Sequence, residues 1–151
     1  MRLAIGVFFI LTSSAFACPD LSGTYQACVS NVANSQSNSM NAVWEQTIQA
    51  GVTTYTTTET SERTQQRDVK TFVADGVAYS SQPSADVFQM SNTLTTTCDG
   101  DQSVTMNVVI MRGQQQVGLV DVKVSKVGTS LVKEVSGYFS AQNFAETITC
   151  D

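Results

Sequence analysis

Val120, Val122 and Val124 alternate with Asp121, Lys123 and Ser125, a period of two that fits a half-buried strand and no helix. After a break at Val127-Gly128-Thr129 the alternation resumes. Leu131, Val135 and Phe139 fall on one face, and Glu134, Ser136 and Ser140 on the other. Upstream, Arg112-Gly113-Gln114 folds the preceding strand back on this pair. The segment 104–139 therefore predicts an antiparallel sheet with one dry and one wet face.

The same reading extends along the chain. Strands are predicted up to about Val29, with Tyr25, Ala27 and Val29 on one face, and over 41–49, with Trp44 and Ile48 sharing a face. Residues 52–60 are rich in threonine, whose branching at Cβ suits a pleated surface. Strands over 69–74 and 77–81 meet at Asp75-Gly76, a tight-hairpin signal. A long strand over 87–98 puts Phe88, Met90, Leu94 and Cys98 on one face, and 144–150 forms the last strand. No helical period appears. About ten short, evenly spaced strands predict an all-β, antiparallel up-and-down meander of barrel or sandwich type.

If consecutive strands alternate in direction, the connections sort into two ends. Ala50-Gly51, Asp75-Gly76, Asp99-Gly100-Asp101 and Val127-Gly128 make a tight end. The polar loops 31–39, 61–67 and 81–85 gather at the other, where binding is expected. Trp44 and Phe88 follow two of those loops closely, and with Tyr25 they are the predicted pocket side chains. Arg63 or Arg67, in the middle loop, would offer charge to a ligand head group.

Residues 1–17 read as a secretory signal peptide. Arg2 supplies the positive charge, 3–11 the apolar run and Ala15-Phe16-Ala17 the small-x-small cleavage site. The remaining 18–151 suits one domain. A second reading acylates Cys18 as a lipoprotein, but Ala15 stands where a lipobox has leucine. Without Arg2, seven basic face thirteen acidic side chains, a net charge of −6. That balance disfavours nucleic acid.

All four cysteines, Cys18, Cys28, Cys98 and Cys150, follow the leader, which points to two disulfides in an oxidising compartment. Four cysteines allow three pairings. Cys98 and Cys150 both close strands running to the tight end and each precedes Asp, which favours Cys98–Cys150 with Cys18–Cys28.

The chain has no histidine, so a Ser-His-Asp triad, a Cys-His pair and imidazole metal sites are impossible. No glycine-rich phosphate loop is present and no cofactor is implied. Glu146, on a face with Phe144 and Ile148, is the one carboxylate singled out for glycoside chemistry. Asp99-Gly100-Asp101 could lend oxygens to Ca²⁺ but needs no ion as a turn.

Leu21-Ser22-Gly23-Thr24-Tyr25 resembles the opening of calycins (lipocalins, fatty-acid-binding proteins, avidins), whose first strand carries G-x-W. Gly23 matches the glycine and Tyr25 stands at the tryptophan. With Cys18-Pro19-Asp20 before it and Cys28 after, the start also resembles small exported four-cysteine bacterial proteins called lipocalin-like. The resemblance implies a calycin-like β-barrel holding a small apolar ligand. It also implies an arginine packed over the first-strand ring, and in some members an amino-terminal helix, neither of which this sequence supplies.

The function these observations favour is non-catalytic binding of a small apolar or amphipathic molecule. A different class is an acidic protein-interaction module, such as an inhibitor of a basic envelope enzyme like lysozyme. A carbohydrate-binding or structural envelope role comes third.

Overall fold

The computed structural model describes residues 17–33, 35, 37–83 and 88–151. The predicted leader, apart from Ala17, lies outside them, as does Val87 of the strand predicted over 87–98. Eleven strand segments form: β1 (Gly23–Tyr25), β2 (Val29–Ser30), β3 (Met40–Gln49), β4 (Val52–Ser61), β5 (Arg67–Ala74), β6 (Ala78–Ser80), β7 (Met90–Asp99), β8 (Ser103–Arg112), β9 (Gln115–Val127), β10 (Ser130–Phe139) and β11 (Gln142–Cys150). All pairings are antiparallel. Among the described residues no helix forms, and none is long and apolar enough to cross a membrane.

Two sheets result. One has the order β1-β3-β4-β5, the other β2-β11-β10-β9-β8-β7-β6. The first strand predicted from the sequence is split. Ala27 adopts a positive φ of 48°, which resets the alternation, so Tyr25 is buried while Ala27 and Val29 face solvent. The expectation that these three share a face is therefore corrected. The split has a use: β1 pairs with β3, β2 pairs with β11, and Gln26 and Asp151 exchange backbone hydrogen bonds. One ribbon thus ties the two sheets together along one side.

Along the other side the sheets separate. Asp75-Gly76 turns the chain as predicted, with Gly76 at φ 73° and the Asp75 carboxylate accepting from the Val77 amide. The strands it joins do not pair with each other, contrary to the expected hairpin. β5 ladders to β4 and β6 to β7, because the Gly76 amide donates to Thr96 instead of closing back on β5. β5 passes beside β7 without a ladder. The meander is antiparallel throughout, but its hydrogen bonding does not run all the way round, so a closed barrel is not formed.

The core lies between the sheets. Leu21, Tyr25, Trp44, Tyr55, Val104, Met106, Val124, Leu131 and Ile148 are its buried centre. Tyr55 is completely enclosed, and its hydroxyl donates to the Pro19 carbonyl at 2.6 Å. That bond holds the amino-terminal segment across the tight end. Trp44 meets Tyr55 edge-on, with ring centroids 6.0 Å apart, and lies 6.4 Å from Phe72.

All four cysteines are bonded, consistent with an oxidising compartment, but their partners differ from those expected. The bridges are Cys18–Cys98 and Cys28–Cys150, with Cα–Cα distances of 5.2 and 4.0 Å. Cys98 and Cys150 do end strands of the same sheet. However, β8, β9 and β10 lie between those strands, a separation of roughly 19 Å at the usual strand spacing and far beyond disulfide reach. Cys28 sits at the parting of β1 and β2, opposite the end of β11, so its bridge reinforces the joined side.

Candidate functional site

A cavity of about 450 Å³ opens between the sheets. Its apolar wall comes from alternate positions of neighbouring strands: Leu94 on β7, Met106 and Val108 on β8, Val122 on β9 and Val135 on β10, with Trp44 and Phe72 facing them from the first sheet. Register explains the continuity, since Val108 pairs with Val120, Met106 with Val122, and Val122 with Val135. Paired residues share a face of the sheet, so a single alternation repeated across strands yields a continuous apolar surface.

One corner of this cavity is charged. Glu59, Lys70, Lys133 and Glu146 all line it, with Ser37. Lys133 Nζ donates to Glu59 Oε1, and Lys70 Nζ lies 3.8 Å from Glu59 Oε2 and 2.7 Å from Asp68. The Glu59 and Lys133 side chains are only 16% and 22% exposed, too buried to be ordinary surface ions. Partial burial works against Lys70 holding its proton, but the Asp68 hydrogen bond and the charges of Glu59 and Asp68 prevail and raise its pKa.

Burial likewise works against an ionised Glu146. Hydrogen bonds from Ser30, Ser35 and Ser37, helped by the charge of Lys133, outweigh it and hold the carboxyl below its ordinary pKa. Ser35 and Ser37 lie between β2 and β3, and these two serines form a polar rim beside Glu146. A smaller hollow of about 50 Å³ shares Ser37, Glu59, Lys133 and Ile148 with the main cavity and continues to the Cys28–Cys150 bridge.

Among the residues expected to bind ligand, Trp44 lines the cavity. Its indole nitrogen is buried with no hydrogen-bond partner among the described residues. Tyr25 is buried but lies outside that lining. Its ring folds over Gly23, where an added Cβ would come within 3.1 Å of it, and its hydroxyl donates to the Leu21 carbonyl. Lys126 Nζ lies over the ring at 6.0 Å. Arg63 and Arg67 are exposed. Arg63 borders a separate polar groove with Thr64 and Gln66, and the cations that reach the cavity are Lys70 and Lys133 instead.

Phe88 is 56% exposed and packs against the Arg112 guanidinium, 5.7 Å from its ring centre. Gln89 has a positive φ of 47°, so the alternation that would have put Phe88 on a face with Leu94 stops one residue short of Met90. Of the carboxylates weighed from sequence, Glu146 lines the cavity, whereas Asp99-Gly100-Asp101 forms the turn between β7 and β8.

Glu59, Lys70 and Lys133 escaped the sequence reading, although a signal was present. Lys133 lies midway between Leu131 and Val135, and Glu59 continues the series Tyr55, Thr57. A charge at an inward position of an alternating strand marks a polar contact inside the fold. No protein-family model, curated protein or solved structure matches this chain.

Proposed function

We propose that this protein is a non-catalytic, exported binding protein of calycin, lipocalin-like type that takes a small apolar or amphipathic ligand between its sheets. The observation that carries the reading is the cavity itself, where an apolar wall faces a charged corner, the lining expected for a molecule with one greasy and one polar end. Its volume lies within the usual range for small-molecule sites. The amino-terminal ribbon adds support. Tyr25 folded over Gly23 with Lys126 above the ring corresponds to the G-x-W strand and its covering arginine, each with a substitute residue. The two disulfides fit export, and hold the frame while the unladdered side between β5 and β7 leaves a route inward.

Extraction of the purified protein with organic solvent, followed by mass spectrometry, tests this reading. A co-purifying amphiphile in stoichiometric amount is the expected result. An empty extract, together with no uptake of added hydrophobic probes, would contradict it.

A further inference from the structure

Resting on that reading, we propose that the cavity selects an uncharged amphiphile whose polar end is a hydrogen-bond acceptor, an ester, amide or ketone carbonyl, over a carboxylate or an amine. The argument is an inventory of charge and of donors. The charged groups lining the cavity are two carboxylates and two ammonium groups, so the lining is formally neutral without a ligand. An ionised head group entering it would lose its water and find no spare counter-charge.

The carboxylate acceptors are also engaged. One Glu59 oxygen takes the Lys133 hydrogen bond and the other faces Lys70, while Glu146 accepts from the serines of the rim. Donors remain in surplus. Of the three N–H groups on Lys133, one meets Glu59 and the others have no partner among the described residues. The indole N–H of Trp44 has no acceptor among the described residues either, but its nitrogen is sealed from solvent and so lies out of a ligand's reach. A carbonyl oxygen beside this corner would take one of the Lys133 N–H groups without bringing a charge.

Trp44 is the only tryptophan in the chain, so its emission reports occupancy. The test titrates the intact, disulfide-bonded protein at neutral pH with four probes of one chain length: a methyl ester, a carboxylate, a primary amine and an alkane. The ester should bind tightest, with both charged probes weaker by roughly tenfold or more. Calorimetry on Lys133→Met should then show the ester weakened by roughly fivefold or more and the alkane unchanged. A carboxylate or amine binding as tightly as the ester would overturn this inference while leaving the binding function standing. Equal losses for ester and alkane in Lys133→Met would overturn it too. Failure of all four probes to bind would defeat the binding function itself.

Discussion

At the scale of single residues, the groups that matter most are polar ones held between the sheets. Glu59 serves two lysines, whereas Lys133 has Glu59 as its acceptor, so the two should respond unequally to mutation. Glu59→Gln leaves Lys133 without its carboxylate and should cost about 2 kcal/mol; Lys133→Met leaves Glu59 still paired with Lys70 and should cost about 1 kcal/mol. Urea denaturation of both variants checks the order, and equal losses would mean that the Lys70–Glu59 contact contributes nothing. Tyr55 offers a pH test. Burial pushes its phenol up to about 12, against a small opposing effect of the Gln46 hydrogen bond. Its folded pKa exceeds the unfolded value near 10, so its stabilisation is complete below that value and is lost as pH rises toward 12. Tyr55→Phe should cost about 1 kcal/mol at neutral pH through the lost bond to Pro19, and should flatten the alkaline fall in stability. Glu146 has the opposite sign: its lowered pKa contributes stability above the ordinary carboxylate range that disappears on acidification. The sequence carried this site only partly. Trp44 and Glu146 could be named because an aromatic and a carboxylate stand out among apolar neighbours, while a lysine beside Glu134 does not stand out by residue type.

At the scale of elements, the strands were legible wherever alternation was unbroken. The segments around β8, β9 and β10 follow the sequence pattern closely because valines at every second position leave one register that buries them. Alternation failed at Ala27 and Gln89, where a residue other than glycine takes a positive φ and nothing in the local composition announces the reset. Partner choice at Asp75-Gly76 was hidden for a related reason. The turn is local, but whether its flanking strands pair with each other or with outer neighbours depends on distant strands. Within the large sheet, Gly137 is the most constrained position: a Cβ there would collide with the Leu119 carbonyl of the adjoining strand. At Gly118 the nearest atoms are a Phe139 ring carbon and the Ile110 Cδ1, at 3.0 and 3.1 Å, and the Tyr138 carbonyl at 3.1 Å. Gly137→Ala should therefore destabilise by about 3 kcal/mol and Gly118→Ala by about 1 kcal/mol. Thermal unfolding of the two variants would show this, and a silent Gly137→Ala would mean the β9–β10 ladder is looser than described.

At the scale of the whole molecule, the chain is a two-sheet envelope joined on one side and parted on the other. The bridges span 80 and 122 residues of sequence, long enough for each to stabilise by about 4.5–5 kcal/mol in the chain-entropy account. Domains of this size have only about 5–15 kcal/mol in total. Reduction of both bridges should unfold the protein, and loss of Cys28–Cys150, which reinforces the joined side, should cost more than loss of Cys18–Cys98. Denaturant titration of the paired serine variants measures this. The pairing could not be read from sequence because it depends on how many strands stand between two ends, a property of sheet order. The central claim is that the space between the sheets is a binding site, and quenching of Trp44 by an amphiphile brominated along its chain tests it most directly. Saturable quenching with one site per chain, lost when Val122→Phe fills the cavity, is the predicted result. Quenching that rises without saturation, or that saturates equally in Val122→Phe, would contradict it.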